Sequence, residues 1–146
     1  MALSLQRVGD VPVSASLVVH WIDVAAGPDS SPGDRSLLLA LREAFEPAAG
    51  APREPGFALD LGKMAAGTVL RRVHELPAEI TGAEPTPSLV ADYWLERPDG
   101  LGLVQLAFAT PMLPLRQPLL ELFDVVAGAL RWVTADELSR SRREPG

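Results

Sequence analysis

Apolar and polar positions divide the chain into short segments whose periods change along its length. Val13 to Val24 (VSASLVVHWIDV) is rich in β-branched residues and is bounded by Pro12 and by Gly27-Pro28, which predicts a strand. Val18, Ile22 and Val24 fall on one side of it and Leu17, Val19 and Trp21 on the other. Two apolar faces predict a strand covered on both sides, inside a layered fold. Leu3 to Val8 reads as a short preceding strand. After the loop GPDSSPGD, the run SLLLALREAFEPAAG sets Leu37, Leu38, Leu41, Ala44 and Phe45 in one helical stripe, with Arg42, Glu43 and Glu46 toward water. Asp34 or Ser31 is the expected cap, Pro32 fits the first turn, and Pro47 and Gly50 end the helix.

Further on, Phe57 to Leu61 and Gly67 to Leu76 read as two strands joined by a turn around Gly62-Lys63. A proline-containing loop, PAEITGAEPTP, leads to Ser88 to Arg97 and Leu101 to Thr110. Between these two strands, Arg97-Pro98-Asp99-Gly100 has the chemistry of a tight turn. That hairpin brings Trp94 near Val104 or Gln105. Pro111 to Pro118 links it to a helix running to about Trp132, with Leu119, Leu122, Phe123, Val126 and Leu130 as its core stripe and Pro118 in the first turn. Thr134 and Glu137 are spaced as a capping box, so a short last helix follows, and Arg140 to Gly146 reads as a frayed tail. The order strand, helix, four strands, helix predicts an α+β fold. It is a mostly antiparallel sheet of about five to six strands flanked by two main helices. Residues 1–133 form a single domain in this reading, and 134–146 hold the capped helix and tail.

Composition narrows the function classes. Of 146 residues, 47% are hydrophobic and 22% charged, the balance of a folded globule. The formal net charge of -6 speaks against nucleic acid and acidic membranes as partners. With no cysteine, disulfides, cysteine-zinc sites and thiol catalysis are excluded. Neither a secretory signal pattern nor an apolar run of the ~20 residues that span a bilayer is present, so the expected location is cytoplasmic, without membrane insertion. Twelve arginines against the single Lys63, and no asparagine, fit the codon bias of a GC-rich bacterial genome.

Candidate chemistry is sparse. His20 sits mid-strand and reads as a core or half-buried histidine. Asp23, three residues on, faces the other way and cannot share its proton. His74 reads as a surface or sheet-edge residue. Together with Asp92 or Glu96 the two histidines could hold a metal, but no ligand spacing asks for one. No serine lies in a nucleophile elbow, and no glycine-rich phosphate loop is present. Arg71 and Arg72 alternate across a strand, each able to pair with a cross-strand acid such as Asp92 or Glu96, or to recognise an anion. Residues 74–146 carry 6 basic against 11 acidic side chains. Glu75, Glu79, Glu84, Asp92, Glu96 and Asp99 form either a solvated loop and strand edge or an acidic patch for a basic partner. Tyr93 and Trp94 face opposite layers, so one is expected in the core and the other against a helix or a partner.

AAGTVLRRV, SLVADYWLERPDGLGLVQLAFATP and LLELFDVVAGALRW share a pattern: a strand after Gly67, a hairpin ending in Phe108 to Pro111, and a closing helix ending in Leu130 to Trp132. Over residues 57–133 this resembles uncharacterised actinobacterial proteins and, more distantly, the Mog1/PsbP-like superfamily. The resemblance implies an antiparallel sheet flanked by helices in a compact binding or assembly module, and it carries over no catalytic residue. Mean hydropathy of +0.14 is high for a small monomer, which points to surface covered by self-association or by a partner. The leading expectation is a non-enzymatic protein–protein interaction module, an accessory or adaptor subunit of a larger assembly, with no cofactor and no metal. Its contact candidates are Glu75, Glu79, Glu84, Tyr93, Trp94 and Glu96. The alternative is a small-molecule or anion-binding domain, with the ligand between sheet and helix near Arg71, Arg72, His74 or Trp94. A small hydrolase using a carboxylate or histidine stands behind both.

Overall fold

The computed structural model describes residues 14–24, 36–52, 54, 56–76 and 87–143. In chain order these form β1 (Ser16–Asp23), α1 (Leu37–Phe45), β2 (Ala58–Met64), β3 (Gly67–Leu76), β4 (Ser88–Glu96), β5 (Gly102–Thr110), α2 (Arg116–Gly128), which follows a 3-10 turn at Leu113–Leu115, and α3 (Ala135–Arg143). The five strands make one antiparallel sheet in the order β1-β5-β4-β3-β2. The fold is α+β, as the element order implied. The expected strand at Leu3 to Val8 and the caps Asp34 and Ser31 lie outside the described residues.

Each face of the sheet has its own helix. Tyr93, Leu95, Ala91 and Leu89 of β4 share a face with Val69 and Val73 of β3 and with Val104, Leu106 and Phe108 of β5. Leu119, Leu120, Phe123 and Ala127 of α2 close over them, and Phe108 stacks on Phe123 and meets Tyr93 edge to face. On the opposite face, Leu38 of α1 packs on Leu70, Trp94 and Leu103, with Phe45 against Trp94 at 5.0 Å between ring centroids. The central strand is therefore buried on both sides, and β4 is the layer that both helices share.

Several boundaries depart from the sequence pattern, for identifiable reasons. The β2–β3 turn falls at Ala65-Ala66, with Met64 opposite Gly67, and not at Gly62-Lys63. Gly67 supplies the left-handed conformation the turn needs (φ 129°), so Gly62 stays in the strand. α2 ends at Gly128, short of Trp132. Its buried stripe takes Leu120 and Ala127 in place of Val126, which is exposed. Trp132 instead donates its indole N–H to the Ala66 carbonyl at 2.8 Å, tying the end of the main fold to the β2–β3 turn. The capping box forms: Thr134 N–H donates to Glu137 and Glu137 N–H to Thr134 Oγ1. Residues Arg140–Arg143 of the expected frayed tail belong to α3, which buries no residue.

The largest departure is β1. It pairs with β5 from Ser16 opposite Ala109 to Asp23 opposite Gly102, and it is one of the two edge strands of the sheet, β2 being the other. Its apolar sequence is not buried on both sides: Val18, Val19 and Trp21 are all exposed. His20 is exposed too, not part of a core.

Candidate functional site

Two places concentrate unusual side chains. The first is polar and lies on the α1 face. Antiparallel register sets Arg72 of β3 beside Asp92 of β4, Trp94 beside Gln105 of β5, and Leu70 beside Trp94. Asp92 is 3% exposed. Its carboxylate accepts from Arg72 Nη2 at 3.0 Å and from Gln105 Nε2 at 3.1 Å, and His74 Nε2 lies 3.3 Å away. Arg72 also lies against both rings of the Phe45–Trp94 pair: its guanidinium carbon is 4.0 Å from the Phe45 ring centroid and 5.1 Å from that of Trp94. Burial pushes the Asp92 carboxyl up, but the bonds from His74, Arg72 and Gln105 and the Arg72 charge outweigh it and hold the group below its ordinary value. A buried charge with this many partners is satisfied, so the cluster fixes β3, β4 and β5 together.

The sequence grouped Arg71, Arg72, His74 and Trp94 around a ligand. Arg72, His74 and Trp94 do share a face. Arg71 points to the other face, where it pairs with Asp124 of α2 at 3.1 Å. Tyr93 donates its hydroxyl proton to the same carboxylate at 2.5 Å, and burial followed by that bond raises its pKa. Arg72 already neutralises Asp92, which leaves little positive potential for an outside anion. His74 is half-buried and lies one residue past the end of the β2–β3 pairing, where β3 has β4 alone beside it, so it is at a local sheet edge as expected. His20 lies far along β1, opposite Gln105, while His74 lies opposite Val90, so the two histidines do not meet. Among the described residues no cluster of three or more metal-ligating side chains forms.

The acidic contact candidates do not make one surface. Glu75 is on the α2 face and pairs with Arg116 at 2.8 Å. Glu96 is on the α1 face, where Oε1 accepts from Ser36 Oγ at 2.9 Å and from the Leu38 N–H at 3.2 Å. It thereby caps α1, which has no side-chain cap of its own. Glu79 and Glu84 lie outside the described residues. Tyr93 and Trp94 are both buried, one under each helix, so neither offers its ring to a partner. Each strand face has its own helix, so alternation puts both adjacent aromatics inside.

The second place is the edge of β1, which sequence reasoning assigned to the interior. Leu17, Val19 and Trp21 follow one another on the α2 face. Trp21 is 60% exposed, and Arg97 lies 4.3 Å from its ring centroid. Arg97 is shared between Asp23 and Asp99, two carboxylates to one guanidinium. Beside Leu17, between β1 and α2, opens an apolar groove of about 180 Å³, lined by Ala15, Leu17, Phe108, Leu122, Phe123 and Val126. Among the described residues no strand pairs with the outer edge of β1, and no helix is long and apolar enough to cross a membrane.

Comparison of the chain with protein-family models, with curated proteins and with solved structures finds no match to any of them.

Proposed function

We propose that the protein is a non-enzymatic protein–protein interaction module of the Mog1/PsbP-like kind, an accessory or adaptor subunit of a cytoplasmic bacterial assembly. The carrying observation is β1: an edge strand, apolar on both faces, with Val18, Val19 and Trp21 exposed. Edge strands in isolated proteins are usually blunted by charge, proline or a covering element, because open backbone groups template pairing with another chain. β1 has no charge or proline in its interior, its only charged residue, Asp23, being the last, and among the described residues no element covers its outer edge. The buried Asp92 carboxylate, by contrast, is paired with Arg72, His74 and Gln105, although Arg72 Nε has no partner.

The test is affinity capture with quantitative mass spectrometry, together with light scattering, on the wild type and on Val19→Lys, Trp21→Ala and Leu138→Glu. Leu138 is an exposed residue of α3. The reading expects a partner, or a self-associated mass, that the two β1 variants lose and Leu138→Glu keeps. A monomer that captures nothing, or capture indifferent to all three changes, defeats it.

A further inference from the structure

The β1 edge has more definition than a sticky strand, and its features run in a line. Asp23 and Trp21 stand at one end, Val19 in the middle, and Leu17 at the lip of the groove at the other. Side chains on one face of a strand recur every second residue, about 6.4–6.8 Å apart. A strand added antiparallel to β1 would therefore set one side chain against each of these stations. At the Asp23 end the local charge is negative, since Asp23 and Asp99 share one Arg97, and Asp23 is itself 78% exposed. Arg97 already lies against the Trp21 ring, so a partner's cation there would answer the one carboxylate of Asp23 and Asp99 that Arg97 leaves uncompensated. At the other end the groove is apolar throughout.

Size decides between a second copy and a segment. A stable dimer buries roughly 800 Å² per partner, drawn from about 20–30 residues a side. β1 offers eight residues, and the groove adds only a few from α2. That is about half of what a dimer requires, and it matches one extended segment of a partner.

We infer that β1 is a strand-addition site for an extended partner segment, antiparallel to β1, with a Lys or Arg near its N-terminal end at Trp21 and Asp23 and alternate apolar residues thereafter, the last entering the groove between β1 and α2. This deepens the interaction reading above and rests on it.

The probe is a fluorescently labelled synthetic peptide of alternating threonine and apolar residues (valine, leucine, leucine) with one arginine at its N-terminal end. Its controls are a scrambled peptide and one with glutamate in place of the arginine. Fluorescence anisotropy should show the arginine peptide binding about tenfold or more tightly than either control. Val126→Glu, at the exposed groove lip, should weaken it about tenfold. Asp23→Lys should reverse the preference between the arginine and glutamate peptides. Both positions are exposed, and unchanged thermal unfolding confirms that the variants fold. Equal binding of all three peptides, or no effect of either variant, overturns the inference. A dimer broken by Val19→Lys also overturns it, because a second copy then holds the edge. A partner captured by the wild type but insensitive to Val126→Glu and Asp23→Lys refutes the segment while leaving the interaction reading in place.

Discussion

Replacing Asp92 by asparagine keeps the shape of the side chain and removes its charge. Asp92 is 3% exposed, whereas the side chain of Arg72 retains some contact with water. Deleting one partner of a buried pair costs about 3–5 kcal/mol. Partial hydration of Arg72 brings the expectation here to about 2–3 kcal/mol. The new amide also aims N–H toward a donor, since Arg72 and Gln105 both donate to the carboxylate. For a chain of this size that is a fall in Tm of about 6–9 °C. Urea unfolding at pH 7 measures it. Arg72→Met added to Asp92→Asn should restore part of the loss, with a coupling of at least about 1 kcal/mol, because the orphaned cation is gone. The pH dependence has a definite sign. The folded carboxyl titrates below its unfolded value of 3.8. Its contribution is complete above that value and disappears as pH falls through the folded one. The wild type should therefore keep its advantage over Asp92→Asn from neutral pH down to pH 3.8 and lose it progressively as the pH falls further. A loss under about 0.5 kcal/mol at pH 7, strict additivity with Arg72→Met, or a gap that does not narrow in acid would refute the account of this cluster.

Glu96→Ala should destabilise the protein by about 1 kcal/mol and speed amide exchange at the start of α1, because Leu38 N–H and Ser36 lose their acceptor. Tyr93→Phe should cost about 1–2 kcal/mol by equilibrium unfolding, since Asp124 keeps only Arg71. Gly102→Ala should cost about 1–3 kcal/mol and raise exchange in β1 selectively, because the added carbon would sit 1.9 Å from the Ile22 carbonyl oxygen and push the strands apart. Thr134→Ala should fray α3 by helical circular dichroism with little change in the main unfolding transition, α3 having no buried residue.

Local chemistry was legible where it decides structure locally. The β4–β5 hairpin follows from alternation and from its turn: Gly100 takes φ 73°, and Leu101 N–H donates to Asp99. The capping box of α3 was legible for the same reason. What failed to show was long-range pairing. Two apolar faces on β1 state a demand for cover, but strand order determines who meets it, and β1 falls at the rim. The cap of α1 is equally invisible in the segment around it, because Glu96 lies 58 residues from Leu38. Arg72 and Asp92 could be suspected as a cross-strand pair; Gln105 and His74 joined them only once three strands had aligned. Glu75 and Glu96, neighbours in an acidic stretch, part company because β3 and β4 present them to opposite layers.

The four-residue polar knot on the central strands has an implication for how the chain assembles. If β3 slid one position so that Val73 stood opposite Asp92, the carboxylate would lose Arg72, which would then stand opposite Tyr93; a slide the other way sets Arg71 opposite Asp92 instead. The charge at the centre of the sheet thus favours the native alignment over the slide that would strip Asp92 of its arginine.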